Sequence, residues 1–336
     1  WSYNAGMAHL SISLLGEFRT TLDGRPITGY HSDKGRALLA YLAVESEQAH
    51  RRARLAGLLW PDWPERAART YLRQALFDLR QLLGDRDAAT PFLIATYHTI
   101  QFNPQSDHAL DVTALIEASD RASKATSSLT RAELERLRQV AERCAGDFME
   151  GVFLEDCSAY EEWQLLTRER LRRRQFELLR ALADGFEHFG DFRQALSQAW
   201  LRVELEPFLH QAHGQAIRLL ARTGESGAAL AHYRRYCRML EEELGAAPDS
   251  AITSLIDQVR TGRLPSEIEP EIVAPRSDAA RDMPRFPLPA LLSTAKPPRS
   301  RPPFVARETE LAQMAVHLER ALDSQGKVVF VRGDAG

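Results

Sequence analysis

Four arginines recur within one short stretch, Arg66, Arg69, Arg73 and Arg80, with Thr70, Gln74, Phe77 and Gln81 beside them. Wound as an α-helix, the stretch from Pro64 to Leu83 gathers Leu72, Leu76, Leu79 and Leu83 on one side and sets the arginines on an adjacent stripe. A wet face of Arg, Gln and Thr with little acid suits the major groove of double-stranded DNA. There a guanidinium pairs bidentately with guanine, a carboxamide pairs with adenine, and the remaining cations meet phosphates. Arg51, Arg52 and Arg54, just ahead of another helical segment, are placed to meet backbone phosphates. His98 and Thr99, near the tip of a later hairpin, could touch the backbone weakly. An ordinary solvated helix shows a similar face, so the assignment depends on what surrounds it.

Other chemistries find little support. Cys144, Cys157 and Cys237 are far apart with no CxxC, which argues against a disulfide scaffold or a zinc finger and for reduced thiols. His210 and His213 stand three apart on a helix, but with no third ligand a surface or interhelical role outweighs a metal site. Neither a nucleophilic triad nor a pair of carboxylates stands out. A binder is expected here, not an enzyme, with no metal and no cofactor.

The elements that must position the arginines are legible from periodicity. Residues 9–30 alternate at period two through Leu10, Ile12 and Leu14, and Asp23-Gly24 is a hairpin signal, so a small sheet comes first. Leu38, Leu39, Tyr41 and Leu42 mark one helix, and Leu55, Leu58 and Leu59 before Trp60-Pro61 a second. The arginine-bearing stretch, closed by Gly84, is the third. Phe92 to Phe102, bounded by Pro91 and Pro104, reads as a terminal hairpin. Sheet, three helices and hairpin is the order of a winged helix-turn-helix, over 9–104.

Charge follows the same division. The 336 residues carry 43 Lys+Arg against 46 Asp+Glu, so the whole chain is not a basic nucleic-acid coat, yet its first 104 residues are net basic. From Asp111 to Gly262 the pattern is helical and net acidic, which disfavours DNA wrapping there. Gly190-Asp191-Phe192 with Ala195, Ala199 and Pro207 matches half of a tetratricopeptide repeat, and Gly224 and Ala229 recur one period later. An all-α tetratricopeptide-like domain is expected over 110–262. Ten of the 17 prolines crowd into 264–303, so 263–303 reads as a disordered linker. Residues 304–336 end in a short apolar strand and Gly333-x-x-Gly336, like the opening of a phosphate-binding P-loop of an α/β module. A start at Trp1 and an end inside that loop imply a piece of a longer protein. No apolar run approaches the roughly 20 residues of a membrane span, and no signal peptide is visible, so a cytoplasmic location is expected.

Four segments carry a resemblance: LLGEFRTTLDGRPI, SDKGRALLAYLAVE, LLWPDWPERAARTYLRQALFDLRQLLG and the later Glu161-Glu162-Trp163. Together they resemble the Streptomyces antibiotic regulatory protein family over residues 9–262. That resemblance implies an OmpR-type winged helix, with its recognition helix on Ala67 to Leu83 and its wing on Phe92 to Phe102. It also implies a bacterial transcriptional activation domain of tetratricopeptide-like helices. The implied function is a bacterial transcription activator that binds promoter direct repeats as paired monomers or a homodimer and recruits RNA polymerase. The glycines usual in OmpR-type wing turns are absent, which puts wing contacts in question. The terminal FVARETEL and VVFVRGDAG resemble the start of an AAA-type NTPase module, which would bring ATP and Mg²⁺ to a longer protein, with Gly333 and Gly336 in its nucleotide-binding loop. The alternative is a signal-transducing NTPase or scaffold whose winged helix and repeats bind proteins.

Overall fold

Alternate burial of Leu10 and Ile12, continued by Leu14, fixes β1 (Leu10–Ser13), which pairs antiparallel with β2 (Arg19–Leu22). The chain returns to β3 (Arg25–Pro26) through Asp23 and Gly24, both at positive φ (50° and 75°), as a tight hairpin turn matching strand twist demands. This computed structural model describes residues 8–85, 88, 90–124 and 129–262. The linker, the terminal strand, Gly333 and Gly336 lie outside the described residues.

Helix α1 (Asp33–Val44) is buried at every position from Ala37 to Ala43, so it runs through the core instead of along the surface. Next come β4 (His50–Arg51), α2 (Arg52–Leu59), α3 (Glu65–Leu82), β5 (Leu93–Ala95) and β6 (Thr99–Phe102), with the three strands in the order β4-β6-β5. The expected order of sheet, three helices and hairpin is present. Two strands go beyond it. His50–Arg51 joins the wing sheet, and β7 (His108–Leu110), past the expected limit at 104, lies parallel to β1 as a fourth strand of the first sheet. Both are two or three residues long, too short for an alternating pattern to register in sequence.

The helical region runs α4 (Asp111–Lys124), α5 (Arg131–Arg143), α6 (Ser158–His188), α7 (Phe192–Leu205), α8 (His210–Arg222), α9 (Ser226–Leu244) and α10 (Ser250–Arg260). Ala195, Ala199 and Ala229 are fully buried, where small side chains let paired helices close up. Gly190 and Gly224 sit at φ 73° and 82°, in the left-handed conformation that ends a helix cheaply only at glycine.

Winged helix and helices α4–α7 share one apolar core, while α9 and α10 close with α8 on a second cluster around Ile217, Tyr236 and Ile256. The segment after α5 runs alongside the end of β1: Met149 N–H donates to the Leu14 carbonyl (2.7 Å), Gly16 N–H to that of Asp147 (2.7 Å), and Glu150 N–H to that of Gly16 (3.1 Å). Asp111 accepts from the Leu14 and Leu15 amides at 2.8 and 2.9 Å. Trp163 packs against Tyr41, Phe148 and Tyr160, and its Nε1–H donates to Glu45 at 2.9 Å. Helix α1, against which α3 packs, is therefore fixed to the repeats.

Candidate nucleic-acid interface

Helix α3 is 18 residues long, about 27 Å at 1.5 Å per residue. Ala68, Leu72, Leu76 and Leu79 bury one face against the core. Opposite them, Arg66, Thr70, Gln74, Phe77 and Gln81 are exposed and form the crest of the helix. Arg69 and Arg73 are also exposed but turn to one flank. There they meet Arg51 and Arg52, from β4 and the start of α2, and Tyr97, His98 and Thr99 from the β5–β6 turn, around an open groove of about 1040 Å³. The structure thus assembles six of the sequence-selected residues in one concavity: Arg51, Arg52, Arg69, Arg73, His98 and Thr99.

The groove is electropositive by construction. Arg52 is held below its usual pKa, first by partial burial and then by the charge of Arg73. Its side chain is fixed: Nε donates to the Thr96 carbonyl and its backbone N–H to that of His98, both at 2.9 Å. On the helix, Arg69 pairs with Glu65 at 2.5 Å and Arg73 donates to the Thr70 hydroxyl at 3.2 Å. Gln74 donates to Asp78 at 2.8 Å. Such exposed pairs within one helix contribute little and exchange readily for a phosphate or a base edge.

Two of the selected arginines stand apart from this groove. Arg80 is half-buried, its Nε is enclosed, and its charge lies beside the Asp85 carboxylate, so it braces the end of α3 instead of facing outward. Arg54 is exposed but does not line the groove, and it neighbours the Tyr41 hydroxyl. Helical periodicity places a side chain on a face without saying which way it leans.

The wing turns without glycine because Thr96 does the work. Its backbone N–H donates to the Thr99 carbonyl (2.9 Å), and its Oγ1 accepts from the amides of His98 (3.2 Å) and Thr99 (2.9 Å). No positive φ occurs at Tyr97 or His98, so L-residues fit unstrained. Tyr97, at the tip, is 88% exposed, its ring edge-to-face with His98 at 4.8 Å. Asp85, just past Gly84, ties the wing to α3 by accepting from the Phe92 and Leu93 amides at 2.6 and 2.8 Å. Sequence reasoning gave Asp85 no role, and an acid directly after a helix-ending glycine and ahead of a strand was the available signal.

His210 and His213 do not converge. His210 lies 3.8 Å from Asp249, and His213 bonds Pro207 and His232 between helices. Among the described residues no three His, Cys, Asp or Glu side chains gather to hold a metal, and no helix is long and apolar enough to cross a membrane.

Residues 110–260 match the bacterial transcriptional activator domain family. Transcriptional regulatory protein EmbR of Mycobacterium tuberculosis is 35% identical over 75 residues, 22% of this chain and 19% of that protein. Regulatory protein AfsR of Streptomyces coelicolor is 27% identical over 252 residues, 74% of this chain and 24% of AfsR. The chain therefore spans about a fifth to a quarter of the length of these relatives. A solved structure of Mycobacterium tuberculosis EmbR in complex with a low-affinity phosphopeptide superposes with a TM-score of 0.58 at 20% identity, over 76% of this chain and 66% of that one. That likeness establishes a shared fold.

Proposed function

We propose, from the premise that the chain belongs to the Streptomyces antibiotic regulatory protein family, that it is a cytoplasmic transcription regulator that grips promoter DNA with α3 and the arginine groove beside it. One observation carries this reading: Arg66, Thr70, Gln74 and Gln81 are exposed along one face of α3, flanked by a groove lined by Arg51, Arg52, Arg69 and Arg73. A major groove about 12 Å wide admits the helix. Arg66, Thr70, Gln74 and Gln81 then face base edges, the groove arginines face phosphates, and Tyr97 and His98 lie against the adjoining backbone. The helices after Asp111 relay to RNA polymerase, and two copies occupy direct repeats. Support for this half is the activator-domain match alone.

Gel-shift titration of the chain against its own upstream DNA tests the reading. Affinity should fall steeply with salt, because each neutralised phosphate contributes about 0.9 to the logarithmic slope. Arg73→Ala should weaken binding to all sequences alike and flatten that slope by about 1, whereas Gln74→Ala should cost about 1–3 kcal/mol at one base pair and relax preference there. Salt-insensitive binding, or no binding to any duplex, would sink the proposal. Run-off transcription with RNA polymerase addresses the relay.

A further inference from the structure

Helices α4, α5 and α7 all rest on α6, and between them they leave an apolar pocket of about 140 Å³ that opens to solvent at Ala145 and Glu204. Its walls are Leu115 from α4, Ala141 on α5 and Ala145 just past it, Leu178 on α6, and Leu201 and Leu205 on α7. The space exists because the α5 side presents alanines where a larger residue would reach across.

Polar groups there are few and mostly committed. Gln175 Nε2 already donates to the carbonyls of Cys144 (2.5 Å) and Gly146 (3.1 Å), and the Cys144 thiol faces the Asp111 carbonyl at 3.6 Å. Glu204, which is exposed, forms the outer wall. Water in an apolar pocket finds few of the two to four polar partners it needs, so an apolar guest displaces it favourably. We propose that this pocket is a binding site for a small, uncharged apolar molecule of about one ring, which enters past Glu204.

The site is placed to matter to the rest of the chain. Cys144 and Ala145 are at once its wall and the residues that lead into the segment from Asp147 to Glu150, which bonds to Leu14 and Gly16 just past β1. At Gly146 that segment approaches so closely that a Cβ would lie 2.5 Å from Gly16 Cα. A guest that fixes Cys144 and Ala145 therefore bears on how the winged helix is held, and duplex affinity changes with occupancy. This second half rests on the function proposed above.

The full chain titrated with benzene, with benzoate as the charged counterpart, provides the test. The melting midpoint should rise by a few degrees once benzene is about tenfold above half-saturation, and benzoate, repelled by Glu204 and the apolar walls, should do nothing. Ala141→Leu fills the space and should abolish the response. Because that variant could fold poorly, Leu178 and Leu201 methyl resonances are followed in the unsubstituted protein, where saturable shifts are expected. Absent or non-saturating shifts, or an equal response to benzoate, overturn the site. Gel shifts with and without benzene then read the coupling, expected at fivefold or more. Saturable binding with unchanged DNA affinity overturns the coupling alone. Failure to bind DNA in either state overturns the DNA reading while the resonance shifts still decide the site.

Discussion

Asp85 is a carboxylate only 1% exposed, and what keeps it there is the pair of wing amides it accepts from. Burial raises its pKa, opposed by those amides and by Arg80. A raised carboxyl favours the fold most at low pH and contributes less as pH climbs through its folded value, so Asp85 secures the wing by geometry rather than by its charge. Asp85→Ala strands two buried donors and should destabilise the protein by about 1–3 kcal/mol, with looser binding to DNA, measured by urea unfolding and gel shift. The opposite case is His213 and His232. Pro207 offers only an acceptor, so His213 donates from Nε2 and accepts at Nδ1 from His232 at 3.0 Å, and both rings are neutral. Burial lowers both pKa values, that of His232 to about 4 from 6.5, with the His213 ring adding to the effect. Stability from this pair is complete above pH 6.5 and is lost as pH falls toward 4. Allowing for partial exposure, the loss should be about 1–2 kcal/mol. His232→Phe should flatten that limb in urea titrations at pH 7 and pH 5.

At the scale of elements, the proposed DNA contact depends on how α3 and the sheet behind it are held. The C-terminal end of α3 is held through Asp85 and the wing, and the first sheet is held to the repeats through the segment from Gly146 to Glu150, which bonds to Leu14 and Gly16 just past β1. Gly146 is irreplaceable there by contact rather than by φ: an added Cβ would meet backbone atoms of Gly16 at 2.5 Å. Gly146→Ala should cost about 1–3 kcal/mol of stability, the range for overpacking, and weaken DNA binding although it lies outside the interface. Unchanged melting and affinity would refute this account of the joint. The helices and the Asp23-Gly24 turn were legible in sequence because each carries a periodic or φ-driven signature. So were Arg69 and Arg73, whose spacing alone put them on the wet face. The strands β4 and β7 were not, being too short for a pattern, nor was the groove, since Arg51, Arg52 and Arg73 meet only through tertiary packing. Thr96 shows the same limit from the other side: the missing glycines put the wing's contacts in question without showing how the turn closes, and a hydroxyl closes it.

Across the whole molecule, the boundary that composition suggests near residue 104 is not a boundary in the core. Leu10, Ile12, Tyr41 and Leu59 belong to the same apolar cluster as Phe148, Tyr160, Leu178 and Leu182. Parallel β7, the Asp111 carboxylate, Trp163 on Glu45 and the Cys157 thiol on the Leu59 carbonyl all cross it. Glu161-Glu162-Trp163, noticed in sequence only as a family signature, thus has a mechanical role, because Trp163 seats α6 against α1. Burial of apolar surface is the main force holding such a chain together, and a domain that borrows part of its core is weakened when the lender is removed. A chain cut after Pro104 would leave β1 without its parallel neighbour and would expose the side of α1 that meets Trp163. It should therefore unfold at lower urea than residues 8–262, in which the cluster spanning the winged helix and α4–α7 is intact, as followed by circular dichroism. Equal midpoints for the two would mean that the winged helix stands alone. Its orientation on the repeats would then be a docking equilibrium, not a consequence of folding.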